Sequence, residues 1–235
     1  MTTLALEFSS PQRSVAVVRT GVTGPATIIS QVIEAGAVGT PAFGMIEEAL
    51  RQVQLEREQV QCLAIGLGPG SYTGIRAALA LAQGWQLARA IKTLGLSSAE
   101  CIAAEARAQG LSGQLAVVID AQRNEFYLAN YEITATGFRE VRSLRLASRA
   151  EVLQQQQAGW SLVGPEVTKW FPQGMQVFPR AATLGQLARG KTDFVSSDKL
   201  EPIYLRETKF VKAPPPRTLP SAPKQPPEER QGAKK

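Results

Sequence analysis

A glycine-rich segment, which links an apolar strand to an apolar helix, holds residue types that bind anions. It reads Gly68-Pro69-Gly70-Ser71-Tyr72-Thr73-Gly74-Ile75-Arg76. Glycine permits positive φ and close backbone approach, and a helix start offers unpaired N–H groups at the positive end of its dipole. Gly68, Gly70, Ser71 and Thr73 are therefore candidate phosphate or nucleotide contacts. The alternative is a purely structural elbow, because tight turns use the same residues and no lysine follows the last glycine as in a P-loop.

Two carboxylates stand at comparable places in the two halves of the chain. Glu7 and Asp120 each end an apolar strand and precede a tight turn. The turns, Ser9-Ser10-Pro11-Gln12-Arg13 and Ala121-Gln122-Arg123-Asn124, contain no glycine, so their side chains would crowd a phosphate that must meet backbone N–H groups. The chain also has no histidine, which excludes a Ser-His-Asp triad, a Cys-His pair and histidine metal sites.

The elements that position these residues follow the same order twice: three strands, a helix, a strand and a helix. In the first half the predicted strands are 4–8, 14–19, 26–34 and 62–65, and the predicted helices are 41–57 and 76–91. A further helix is predicted at 98–109. In the second half the predicted strands are 115–120, 125–131, 138–146, 161–163 and 176–178, and the predicted helices are 148–157 and 183–189.

Two α/β halves of this order resemble the actin, sugar-kinase and heat-shock ATPase superfamily, which has a duplicated ribonuclease H-like fold. In that superfamily the first turn of each half holds phosphate and the acids position a metal. The resemblance does not imply a definite cofactor. The candidate cofactor is ATP or ADP with Mg²⁺, bound at a subunit interface. Glu7 and Asp120 would then contact the nucleotide or its metal.

The helix after the elbow carries a stripe of small side chains. Only four of its residues between 76 and 91 are polar, so most of its sides must be covered. Ala77, Ala80, Gly84 and Ala88 lie three or four residues apart, which lets another helix approach closely. Burial under the sheet and contact with a partner protein both explain this pattern. The candidate partner surface comprises Ile46, Leu50, Val53, Ala77, Ala80, Gly84, Trp85 and Ala88.

Charge and composition divide the chain further. The 235 residues carry a net charge of +6, and residues 209–235, with seven basic and two acidic side chains, contribute +5 of it. We predict an N-terminal subdomain at 1–104, a C-terminal subdomain at 105–208 and a disordered proline-rich tail at 209–235. No apolar run approaches the roughly twenty residues of a membrane span. The first residues lack a basic region, and the two cysteines lack framework spacing, so we expect a cytoplasmic protein without a signal peptide.

Three motifs together resemble the TsaB (YeaZ) family. The elbow, Gly68 to Arg76, is similar to that family's G-P-G-S-[FY]-T-G-x-R. Asp120-Ala121-Gln122-Arg123-Asn124-Glu125-Phe126-Tyr127 resembles D-A-R-x-x-E-[VI]-[YF], and Pro202-Ile203-Tyr204-Leu205-Arg206 resembles P-x-Y-x-R. The motifs occur in the family's order. The chain departs from the family at Glu7, which replaces an aspartate, and around residues 41–45, which lack a histidine.

This resemblance implies a non-catalytic subunit of the tRNA N6-threonylcarbamoyladenosine modification machinery, with no activity alone. Its partners would be a TsaD-like catalytic subunit, which it activates, and a TsaE-like ATPase. It would meet tRNA through the complex and form a homodimer when alone. No residue would be catalytic and none would bind a metal. The alternative function is an ATP-dependent phosphotransferase or hydrolase with Glu7 and Asp120 as metal acids.

Overall fold

Both predicted halves are built on a five-stranded mixed sheet in a computed structural model, which describes residues 1–21, 24, 26–35 and 41–206. The first sheet contains β1 (Thr2–Glu7), β2 (Gln12–Arg19), β3 (Thr27–Ala35), β4 (Cys62–Gly66) and β5 (Lys92–Leu96). The second contains β6 (Gly113–Asp120), β7 (Glu125–Ile133), β8 (Phe138–Ser148), β9 (Ser161–Gly164) and β10 (Met175–Gln176). The strand orders are β3-β2-β1-β4-β5 and β10-β9-β6-β7-β8, so every strand has a counterpart in the other sheet. The predicted duplicated α/β fold is confirmed.

The strand pairing places the turn after β1 and the glycine-rich elbow at the same end of the first sheet. β1 pairs antiparallel with β2 and parallel with β4, and β6 pairs in the same way with β7 and β9. Strand β1 is apolar over Leu4-Ala5-Leu6 because both faces of the sheet are covered. Parallel neighbours end at the same edge, so the turn after β1 lies beside the glycine-rich elbow after β4.

In the part of the chain that the structure describes, six α-helices connect and cover these sheets. They are α1 (Ala42–Arg51), α2 (Tyr72–Ala88), α3 (Ser98–Ala108), α4 (Arg149–Gln157), α5 (Val167–Trp170) and α6 (Ala181–Leu187). Side chains cap three of them: Ser71 Oγ accepts from the Gly74 N–H (3.3 Å) at α2, Ser97 Oγ accepts from the Glu100 N–H (3.5 Å) at α3, and Ser148 forms a capping box with Glu151 at α4. None of the described helices is long and apolar enough to cross a membrane.

Two helices end at least three residues earlier than the sequence predicts. α1 stops at Arg51 instead of continuing to 57, because Gln54 adopts a left-handed conformation (φ 52°) and the Leu55 N–H bonds back to the Leu50 carbonyl at 3.0 Å. α2 stops at Ala88 instead of 91, because Arg89 is extended and leads into β5. Strand β5 was not predicted; its five residues lie between two strongly helical patterns.

The halves exchange helices. α3 packs Ile102 and Ala106 against the second sheet, in one buried cluster with Leu115 and Val117. α6 packs instead on the first sheet, where the Ala181 N–H donates to Ser14 Oγ (2.8 Å). The boundary predicted between 104 and 105 falls inside α3, and the division into two subdomains stays a prediction. The predicted disordered tail at 209–235 lies outside the described residues.

Candidate functional site

Two glycines of the elbow are required by contacts with the backbone that directly follows β1. A Cβ on Gly70 would lie 2.1 Å from the Ser9 carbonyl oxygen, and one on Gly74 would lie 1.9 Å from the Phe8 carbonyl oxygen. The Ser71 N–H donates to the same Ser9 carbonyl at 2.7 Å. Backbone therefore packs on backbone where side chains would collide. This close approach explains the glycine pattern without a phosphate and supports the structural elbow.

Glu7 lies in the core and not in the space between the halves. Its Oε1 accepts from the Ser9 N–H (2.8 Å), and its Oε2 accepts from Ser98 Oγ (2.8 Å). Ser98 Oγ in turn accepts from the Gly68 N–H at 3.1 Å, so the carboxyl holds the elbow to the start of α3. The carboxyl is fully buried, and burial raises its pKa above the ordinary value of 4.5, although these hydrogen bonds partly oppose the shift.

The raised pKa of Glu7 makes stability depend on pH in a defined direction. Between 4.5 and the raised value, the folded state binds more protons than the unfolded state, so stability falls as pH rises through this window. Replacing Glu7 by glutamine removes the titration while keeping an oxygen for the Ser9 N–H. We expect the free energy of unfolding of wild type, relative to Glu7→Gln, to decrease from pH 4.5 towards neutral pH in urea titrations. A difference that increased with pH would contradict the assignment.

A cavity of about 550 Å³ separates the elbow from the turn that follows β6. Four of the predicted phosphate or nucleotide contacts line it: Gly70, Ser71, Thr73 and Asp120. Asp120 uses its Oδ1 to accept from the Gln122 N–H (2.6 Å), which fixes the turn. Glu7 and Gly68 lie outside the lining. The cavity is therefore lined by only one of the two acids predicted to position a metal, and its other carboxylate, Glu166, is paired with Lys169, so the fit to a nucleotide with Mg²⁺ is poor.

A second concavity, the α1–α2 groove, has a volume of about 770 Å³ and is mainly apolar. Six of the eight predicted partner-surface residues line it: Ile46, Ala77, Ala80, Gly84, Trp85 and Ala88. Leu50 is buried in the core below, and Val53 packs against the same core, so both lie outside the groove. A Cβ on Gly84 would have no described atom within 4 Å, so the described part of the chain leaves room for a side chain at this position.

Sequence reasoning missed several residues of this groove. Phe43 is 69% exposed at the start of α1, and Leu81 lies on α2 beside the predicted stripe. Arg57, Glu58 and Arg89 form a polar rim, where Arg89 donates to the Arg57 carbonyl (3.1 Å). The sequence feature that could have identified Phe43 as a groove residue is its position in the first turn of an amphipathic helix. The rim had no local signal, because it arises where the end of α2 meets the loop after α1.

Comparison with known proteins identifies the family. The sequence profile described as "TsaD: tRNA N6-adenosine threonylcarbamoyltransferase" matches residues 42–199, more than half of the chain. The chain belongs to this family. A relative from Haemophilus influenzae, tRNA threonylcarbamoyladenosine biosynthesis protein TsaB, is 27% identical over 234 residues, which cover 91% of this chain and 98% of the relative. Its namesake in Escherichia coli is 26% identical over 183 residues, covering 69% and 78% of the respective chains.

A solved structure agrees with these relatives. YeaZ from Pseudomonas aeruginosa superimposes with a TM-score of 0.72 at 25% identity, and the match covers 87% of this chain and 99% of that one. The resemblance to the TsaB (YeaZ) family, which the three sequence motifs predicted, is thereby confirmed. The structure also joins two of those motifs, since Arg206 of the third forms an ion pair with Glu125 of the second.

Proposed function

We propose that this member of the TsaD family is an accessory subunit of the tRNA N6-threonylcarbamoyladenosine machinery. It binds a TsaD-type threonylcarbamoyltransferase through the α1–α2 groove and activates it. The observation that carries the proposal is the groove itself, an open apolar surface with Phe43 at its edge and small residues along α2. Ala80, Gly84 and Ala88 let the backbone of a partner helix approach closely.

The chemistry of the cavity supports an accessory and non-catalytic role. Glu7 is held by two hydrogen bonds in the core, and Gly70 and Gly74 of the elbow pack on the backbone just after β1. The chain contains no histidine to serve as a general base or metal ligand. Nothing in this geometry favours the alternative of an ATP-dependent phosphotransferase or hydrolase. Isothermal calorimetry with millimolar ATP and Mg²⁺ tests that alternative directly, and measurable binding heat would revive it.

The remaining partners belong to the same proposal. A TsaE-like ATPase joins the complex, tRNA reaches this chain through the assembly, and the isolated chain forms a homodimer in the cytoplasm. Because the homodimer would use the same apolar groove, it would compete with the heterodimer. This competition predicts that adding a TsaD-type partner converts the dimer of this chain into a complex with one copy of each.

Co-purification provides the test. The TsaD-type enzyme from the same organism is mixed with this chain and separated by size-exclusion chromatography with light scattering. We expect a shared peak whose mass equals the sum of the two chains. Separate elution at micromolar concentrations of both proteins would reject the proposed function.

A further inference from the structure

Tyrosine side chains are concentrated at the cavity between the halves. Three of the four tyrosines in the chain, Tyr72, Tyr127 and Tyr204, line it. The rings of Tyr72 and Tyr204 stack with centroids 5.6 Å apart and planes inclined by 25°. These two side chains are still 56% and 43% exposed, so the stacked pair forms an accessible aromatic surface at the cavity mouth.

The backbone around Tyr204 is anchored on both sides. The Ile203 N–H donates to the Leu67 carbonyl (2.9 Å), just before the elbow of the first half. Arg206 donates to the carbonyls of Ala121 (3.1 Å) and Gln122 (3.3 Å) and pairs with Glu125, all in the second half. An exposed ring between two such anchors is already held in place. Little conformational entropy of this segment would therefore be lost when a ligand stacks on the ring.

The electrostatics of the cavity mouth favour an anionic polymer. Arg76 lies 5.2 Å from the Tyr72 ring centroid and donates to Tyr72 Oη (2.7 Å), and Arg13 lines the cavity. Among the described residues neither arginine has a carboxylate partner, whereas Glu166 of the lining is paired with Lys169. Of the two acids that line the cavity, only Asp120 has no ion-pair partner among the described residues. The basic segment 209–235 follows Arg206 closely in the sequence.

Aromatic faces flanked by guanidinium groups are the surface that unpaired RNA bases recognise. We propose that the cavity mouth binds single-stranded RNA, with an unpaired base stacked on Tyr204 and the neighbouring phosphates contacted by Arg13 and Arg76. This inference rests on the proposed function, which brings the chain close to tRNA, and it names the contact surface. A base is favoured over a nucleotide phosphate because the turns that follow β1 and β6 lack glycine, and Gly70 and Gly74 of the elbow already pack on the backbone just after β1.

The test measures RNA affinity of the full chain without any partner protein. A fluorescein-labelled single-stranded 12-nucleotide RNA is titrated with wild type, Tyr204→Leu and Tyr204→Trp, with Tyr131→Phe as a control in the second core. Because stacking on an aromatic ring supplies much of the affinity for an unpaired base, we expect Tyr204→Leu to weaken binding about tenfold, and Tyr204→Trp and Tyr131→Phe to match wild type. The tenfold ratio should persist between 50 and 200 mM salt, although all affinities fall as phosphate contacts are screened.

Two measurements show whether the stacked base comes from RNA or from a free nucleotide, and whether the RNA affinity comes from Tyr204 or from the basic segment. RNA should quench the additional tryptophan fluorescence of Tyr204→Trp, whereas millimolar AMP should not. Equal RNA binding by wild type and Tyr204→Leu would overturn the proposal and assign the affinity to the basic segment. Quenching by AMP as strong as that by RNA would overturn it in favour of a free-nucleotide site. Neither result would affect complex formation with the TsaD-type enzyme, which is measured separately.

Discussion

Replacing Gly74 by alanine is expected to destabilise the fold by about 3 kcal/mol, at the upper end of the range for overpacking a filled site. The new Cβ would lie 1.9 Å from the Phe8 carbonyl oxygen, and both atoms belong to backbone that neighbouring elements fix. Phe8 directly follows β1, which pairs with strands on both sides, and Gly74 lies in the first turn of α2. Urea denaturation followed by circular dichroism measures the change.

Gly84 provides the matched control in the same helix. No described atom lies within 4 Å of its missing Cβ, so alanine meets no clash there. The Gly84→Ala variant should gain up to about 1 kcal/mol of stability, because alanine restricts the unfolded chain and favours helix. If both variants had wild-type stability, the close packing of the elbow on the end of β1 would be wrong.

Arginine at position 80 is expected to abolish binding of the TsaD-type partner while leaving the fold intact. Ala80 is exposed on α2 and lines the α1–α2 groove, so a long charged side chain would fill the space that a partner helix needs. Central interface positions contribute about 2 kcal/mol or more, and burying an unpaired charge adds to the loss. We expect affinity to fall by at least about a hundredfold, close to 2.7 kcal/mol, in biolayer interferometry.

The same substitution elsewhere controls for charge and for folding. Ala108 is exposed at the end of α3, outside the groove, so Ala108→Arg should bind the partner like wild type. Both variants should also melt within about 2 °C of wild type, since exposed substitutions rarely change stability by more than about 0.5 kcal/mol. Partner binding by Ala80→Arg at wild-type affinity would remove the groove from the interface.

Local sequence patterns predicted most of the fold because its elements are amphipathic or continuously apolar. Alternation marked β7, and the strand predicted at 138–146 and the helix predicted at 148–157 match β8 and α4. The end of α1 was not predicted, because a glutamine, Gln54, adopts the left-handed conformation that usually signals glycine. The exchange of α3 and α6 between the halves depends on contacts between residues distant in sequence, which no local pattern encodes.

The candidate site was predictable to a similar extent. The elbow, its Ser71 cap and the small-residue stripe of α2 were visible in the sequence, since each depends on residues close together in the chain. The burial of Glu7 was not, because an acid at the end of a strand looks the same whether it faces a cavity or the core. The stacking of Tyr72 on Tyr204 also needed the structure, as it joins two distant motifs.

The rate of threonylcarbamoyl transfer to tRNA tests the central proposal most directly. The TsaD-type enzyme is assayed with its activated substrate and tRNA, alone and with wild type, Ala80→Arg or Ala108→Arg. We predict that wild type and Ala108→Arg raise the rate at least tenfold over the enzyme alone and that Ala80→Arg does not. The same rate with and without this chain, at concentrations that saturate complex formation, would contradict the proposed activation.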